Sequence, residues 1–264
     1  MAAMMSYVEI AVEDSERALR FYGNVFNWAY FRAPAETPYY VMGELDGMSL
    51  AGIFPAAFAP QTLTFFPTQD FDATLTRIRR HGGRVIEAHP EEGLGRVAQW
   101  KDPHGNKFGL TELASDAPVA TVTRDKALWR PRNATRAHGT PAYVEIGVEE
   151  AKNAVNFYGN VFGWASIAAK DGQMQYHFAG EVGKTAFAVI RPIAFAPRTI
   201  PYFRTDDLDA TTRRVQRYGG RVFHTGRRHA GAGPIAQCKD PDGNAFGLVQ
   251  FTRNAPAARL RAAA

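Results

Sequence analysis

One passage occurs twice in this chain, and that repetition constrains the fold more than any other feature. Residues 7–28 read YVEIAVEDSERALRFYGNVFNW and residues 143–164 read YVEIGVEEAKNAVNFYGNVFGW, identical at 14 of 22 positions. The correspondence continues in order. Phe58-Ala59-Pro60 matches Phe195-Ala196-Pro197, and Gly82-Gly83-Arg84-Val85 matches Gly219-Gly220-Arg221-Val222. Ala98-Gln99-Trp100-Lys101-Asp102-Pro103 matches Ala236-Gln237-Cys238-Lys239-Asp240-Pro241. Such repetition means two copies of one folding unit. The expected division is a first domain over residues 1–113, a linker over 114–140, a second domain over 141–252 and a tail over 253–264. A length of 264 residues suits two ordinary domains.

Each copy divides again. Tyr7 to Val12 is rich in β-formers and alternates. Ser15 is placed to cap a helix whose Ala18, Phe21, Tyr22, Val25 and Phe26 recur at helical spacing. Strand-like runs follow near residues 28–32, 38–44 and 48–54. The order then repeats: a strand near 62–68, a helix near 71–81 stopped by Gly82-Gly83, and strands near 84–87, 95–101 and 107–113. The expected class is α+β: four βαβββ units in two homologous halves, whose curved mixed sheets form concave clefts. A single unit leaves one sheet face uncovered by its helix, and two units that join their sheets enclose that face. Period two sorts the first strand of each half. Val8, Ile10 and Val12 belong under the helices, with Tyr7, Glu9 and Ala11 toward the cleft. Val144, Ile146 and Val148 belong under the helices, with Tyr143, Glu145 and Gly147 toward the cleft.

Composition narrows the class of function. Hydrophobic residues are 45% and charged residues 22%, as in globular chains, and no apolar run is long enough to span a membrane. Met1 to Met5 carry no basic segment ahead of an apolar stretch, so no signal peptide is expected. The single cysteine, Cys238, excludes an intrachain disulfide and a thiolate metal cage, and a reducing cytoplasm is the simplest home. The net charge of +5 is not gathered into one stripe. Its densest segment, from Arg124 to His138, reads as a solvated linker, with an anion or nucleic-acid patch as the alternative. Neither a nucleic-acid nor a membrane partner is expected.

The paired βαβββ pattern, the Phe21-Tyr22-Gly23-Asn24-Val25-Phe26 helix and the Asp102-Pro103-His104-Gly105-Asn106 turn resemble the vicinal oxygen chelate superfamily. The copies Phe157-Tyr158-Gly159-Asn160-Val161-Phe162 and Asp240-Pro241-Asp242-Gly243-Asn244 strengthen that likeness. The family includes glyoxalases, bleomycin-resistance proteins and extradiol dioxygenases. It implies the fold described above, as a fused pseudo-dimer that is monomeric or a homodimer. Catalytic members hold a divalent ion with His, Gln or Glu from four strands. Carried onto this sequence, the strand-start positions fall on Tyr7, Leu63, Tyr143 and Ile200, and the late-strand positions on Gly109 and Gly247. The remaining positions, near 51–53 and 185–189, offer no His, Glu or Asp in either half. Leu, Ile and Gly have no side-chain donor and Tyr is an uncommon ligand. The expectation is therefore no metal and no other cofactor.

Glu9 and Glu145 are the candidate catalytic residues. A carboxylate on a cleft-facing central strand can accept bonds from a ligand or act as a general base, or it can serve a structural partnership with a buried Arg. Tyr7 and Tyr143 are candidate ligand contacts, able to stack or to hydrogen-bond, or simply to fill the cleft. Phe65 and Tyr202 are expected beside them. Gly109 and Gly247 remove bulk, which suits an organic molecule lying across the sheet or a close backbone approach. Gln99 and Gln237 either orient a ligand or tie the strand to its turn. His177 is included with the parity of its strand open, aligned with Val41. Two functions follow. One is a metal-independent protein that binds a small organic molecule. The other is a glyoxalase-like lyase, isomerase or dioxygenase acting on a small carbonyl or aromatic metabolite.

Overall fold

A computed structural model describes residues 7–33, 38–43, 49–58, 60–91, 95–113, 138–171, 174–180, 187–194, 198–228 and 233–251. Most of the expected linker and all of the expected tail fall outside these residues. The first half runs β1 (Tyr7–Val12), α1 (Ser15–Phe26), β2 (Ala29–Arg32), β3 (Tyr40–Gly43) and β4 (Ser49–Pro55). It continues with β5 (Gln61–Pro67), α2 (Phe71–Arg80), β6 (Arg84–Glu91), β7 (Gly95–Lys101) and β8 (Lys107–Leu113). The second half repeats the order: β9 (Pro141–Val148), α3 (Ala151–Phe162), β10 (Ala165–Asp171), β11 (Met174–Gly180) and β12 (Ala188–Pro192). Then come β13 (Arg198–Arg204), α4 (Leu208–Arg217), β14 (Arg221–Arg228), β15 (Gly233–Lys239) and β16 (Ala245–Val249).

Each half joins its own two units into one eight-stranded sheet, in the spatial order β2-β3-β4-β1-β5-β8-β7-β6, and the second half keeps that order. The seam is an antiparallel pair of first strands. Tyr7 lies opposite Phe65 and Glu9 opposite Leu63, while in the second half Tyr202 lies opposite Tyr143 and Ile200 opposite Glu145. The flanking pairs β1–β4 and β5–β8 are parallel. The sheets are therefore mixed, as expected.

The helix starts show how local chemistry sets the boundaries. Asp14, one residue before the expected cap, is extended and its carboxylate accepts from the Arg17 N–H at 3.0 Å. Asp70 and Asp207 cap α2 and α4 in the same way. Gly82, at φ +91°, turns the chain after α2 in the left-handed region that favours glycine.

The helix-facing sides of the two sheets share one core. Val8, Ile10 and Val12 enter it together with Val144, Ile146 and Val148. Helix α1 packs against α4, and α2 against α3. Aromatic rings cross between halves: Phe26 meets Phe203 at 5.0 Å and Phe66 meets Trp164 at 5.2 Å. Beneath this core each closing turn reaches into the other half. Asn244 Nδ2 donates to the Ala11 carbonyl at 3.0 Å, and Asn106 Nδ2 donates to the Gly147 carbonyl at 3.1 Å. Tyr22 donates to Asp240 and Tyr158 to Asp102. The concave faces are left pointing away from this shared core.

Candidate functional site

In the first half, period two on β1 brings Tyr7 and Glu9 to the concave face as expected. Neighbouring strands add to them by register. Gly52 on β4 lies opposite both Glu9 and Val41 on β3, and Tyr39 precedes β3. The Tyr39 hydroxyl donates to Glu9 Oε1 at 3.2 Å and is also hydrogen-bonded to the Tyr7 hydroxyl. Tyr39 has one hydroxyl hydrogen. With Glu9 ionised that hydrogen goes to the carboxylate, so Tyr7 donates to Tyr39 and its own oxygen remains an acceptor. Burial pushes the Tyr7 phenol far above its ordinary pKa, with the Glu9 charge adding to the rise. Burial does the same for Tyr39, helped by Tyr7 and Glu9. Both phenols are protonated at neutral pH. They work as hydrogen-bond groups and not as bases.

Aromatic side chains frame this relay. Phe65 meets Tyr7 edge-on at 6.1 Å. Tyr39 stacks at 6.1 Å on Phe54, which meets Phe58 at 6.5 Å. Phe58 is 63% exposed, so the aromatic row runs from the relay out to solvent. Tyr7, Glu9, Tyr39, Phe54 and Gln99 are all half-buried. Gln99 sits on β7 opposite Gly109.

The second half arranges the equivalent positions differently. Glu145 is 1% exposed and lies 2.9 Å from Arg191 Nη2 and 3.4 Å from Arg198 Nη2. The Tyr202 hydroxyl donates to its other oxygen at 3.4 Å, and Gln237 Nε2 donates to Tyr202 at 2.8 Å. Tyr143 stacks on Tyr202 at 4.5 Å. Tyr143, Tyr176, Val189, Ile200, Tyr202, Ile235 and Val249 form one buried cluster on the concave side. Glu145 is thus in the structural partnership with buried Arg that the sequence left open. Gln237 ties β15 to Tyr202 and not to the turn.

Two expectations are corrected. His177 lies opposite Ile190, whose side chain belongs to the shared core, so His177 is on the convex face and its first-half counterpart is Tyr40, not Val41. Gly109 and Gly247 do not leave room for a ligand. A Cβ at Gly109 would stand 2.2 Å from the Phe65 ring, and one at Gly247 would stand 2.2 Å from the Tyr202 ring. The protein's own aromatics fill both spaces. Sequence reasoning also left Gly52, Phe54, Arg191 and Arg198 out of the site. The available signal was the unlike pairing of Gly52 with Val189 and of Phe54 with Arg191 once this stretch of the repeats is registered on Phe58-Ala59-Pro60 and Phe195-Ala196-Pro197.

The same geometry tests the family's divalent ion. The carried-over ligand positions hold Tyr7, Leu63 and Gly109 in one half and Tyr143, Ile200 and Gly247 in the other, with Phe65 and Tyr202 packed over the glycines. Among the described residues no three His, Cys, Asp or Glu come together. This donor set does not fit the ion. Among the described residues, too, no helix is long and apolar enough to cross a membrane.

Comparison with known proteins agrees with the fold. The chain is 33% identical over 129 residues to the anthracycline biosynthesis protein DnrV of Streptomyces peucetius, covering 42% of this chain and 47% of that protein. It is 29% identical over 131 residues to the putative glyoxylase CFP32 of Mycobacterium bovis, covering 47% of this chain and 50% of that protein. The chain spans about half the length of the curated relatives it matches. Among solved structures, the 2,3-dioxygenase LapB of Pseudomonas sp. KL28 superposes with a TM-score of 0.71 at 14% identity, over 95% of this chain and 93% of that one. The Mn(II)-bound glyoxalase of Novosphingobium aromaticivorans gives 0.66 at 15% identity, over 95% and 83%. At these identities the structural likeness speaks for the fold. The model of the Glyoxalase/Bleomycin resistance protein/Dioxygenase superfamily matches residues 5–110 and again 140–248, and the chain belongs to that superfamily.

Proposed function

We propose that this chain binds a planar, hydroxylated aromatic molecule in the concave cleft of its first half, without a divalent ion. The observation that carries the reading is the Tyr7–Tyr39–Glu9 hydrogen-bond relay at the foot of the Tyr39–Phe54–Phe58 aromatic row. Aromatic faces supply stacking area, and the relay offers an acceptor at its Tyr7 end for a ligand hydroxyl. The name of DnrV places that relative in the making of a polycyclic aromatic product, which supports the same ligand class here.

A second reading rests on the same relay. Tyr39 links Tyr7 to a carboxylate, which is a path along which a proton taken from a bound molecule can move to Glu9. In that reading the protein is a metal-independent isomerase or lyase and Glu9 is its base.

The test is calorimetric titration with 1,8-dihydroxyanthraquinone, alongside metal analysis of protein purified without chelator. Glu9→Gln and Tyr39→Phe are each expected to weaken binding about tenfold, the scale of one charge-assisted hydrogen bond. A saturating ligand at about 100 times its Kd should also stabilise the fold by roughly 2.7 kcal/mol. Unchanged affinity in both variants, or stoichiometric metal required for binding, overturns the proposal. Turnover of a bound molecule that Glu9→Gln abolishes while binding persists decides for the enzyme.

A further inference from the structure

We infer that only the first half carries a working cleft, and that Gly52 is the residue that makes room for its Tyr7–Tyr39–Glu9 relay. The inference rests on the binding reading above and assigns the site to one half. Gly52 and Val189 are equivalent positions: Gly52 lies opposite Glu9 on β1 and Val41 on β3, and Val189 lies opposite Glu145 on β9 and Phe178 on β11. A Cβ on Gly52 would stand 2.1 Å from the hydroxyls of both Tyr7 and Tyr39, and 2.5 Å from Tyr39 Cζ. Gly52 is not among the residues with positive φ, so its backbone would accept any side chain. Space alone demands glycine here, because the two hydroxyls converge on the bare strand beside Glu9.

Val189 puts a branched side chain into the equivalent volume of the second half. It is buried in the cluster with Tyr143, Tyr176 and Tyr202. Two further exchanges act in the same direction. Arg191 replaces Phe54 and Arg198 replaces Gln61, bringing two guanidinium groups to Glu145. Glu145 is almost wholly buried, whereas Glu9 is half-buried. The second concave face is closed by its own side chains, and its carboxylate is neutralised from within. A duplicated pair of clefts has become one binding site and one packed counterpart.

The test is calorimetric titration of the full chain with 1,8-dihydroxyanthraquinone, read for stoichiometry and affinity. One molecule per chain is expected. Gly52→Val should weaken binding at least tenfold, and Gly52→Ala less. Val189→Ala should leave both numbers unchanged. The atoms that a new Cβ meets are the ends of two tyrosine side chains, so the variants should remain folded, checked by their melting temperatures. If Gly52→Val does not fold, Gly52→Ala decides. Two molecules per chain, wild-type affinity in the folded Gly52 variants, or loss of binding in Val189→Ala overturns the inference and leaves the binding reading in place. A wild-type chain that binds no probe overturns both.

Discussion

Two carboxylates at matching positions of a repeat need not do matching work, and their neighbours decide it. Glu145 is sealed with Arg191, Arg198 and Tyr202, and a buried charge in such a cluster is costly to strand. Arg191→Met is therefore expected to destabilise the protein by about 3 kcal/mol, measured by urea unfolding. The double variant Arg191→Met with Glu145→Leu should recover most of that loss, because it removes the stranded charge as well. A single variant as stable as wild type would show that the cluster is not structural. Sequence reading found both glutamates, because strand alternation fixes which face they occupy. It could not separate their roles. Arg191 and Arg198 reach Glu145 from neighbouring strands, and strand register is not written in either strand alone. His177 was misaligned by one residue for the same reason, and a shift of one turns a side chain to the opposite face.

At the scale of elements, the two motifs most visible in the sequence turn out to be each other's partners across the halves. The tyrosine of the first-half motif, Tyr22, donates to Asp240 in the second-half closing turn, and Tyr158 donates to Asp102 in the first. Asn244 extends the contact to the Ala11 carbonyl, two residues from Glu9 on the same strand. Both partners of each contact are buried, so their loss leaves polar groups without donors. Asn244→Ala is expected to cost about 1–3 kcal/mol in urea unfolding, and Asn106→Ala a similar amount. A change of only a few tenths in both would mean that the turns close their own strands and do not hold the halves together. The helices and strands themselves were readable, since caps, glycine stops and alternation are local. The partnership of motif with motif was not, because nothing in either motif names its distant acceptor.

On the scale of the whole molecule, the halves share one core and should unfold in a single transition, so a local titration at their junction acts on the stability of the entire chain. His138 occupies that junction, buried just ahead of β9 and beside the end of α1. Arg214 on α4 places Nη2 2.9 Å from His138 Nε2 and donates from Nε to the Val25 carbonyl at 3.2 Å. His138 Nε2 also lies 3.0 Å from the Val25 carbonyl, which only accepts, whereas the guanidinium only donates, so Nε2 serves one of these two partners at a time, according to its tautomer. Burial lowers the His138 pKa below its ordinary 6.5; the Val25 carbonyl pulls it back up, and the Arg214 charge lowers it further. A histidine with a depressed folded pKa contributes stability above its unfolded pKa and loses it as pH falls through the folded value. Acidification from pH 7.5 to 5 should therefore lower the melting temperature of the wild-type chain. His138→Gln keeps a polar side chain at the junction and removes the titrating group, so its melting temperature should fall less over the same range. Parallel pH dependence in the two proteins would show that the junction does not sense protons through His138.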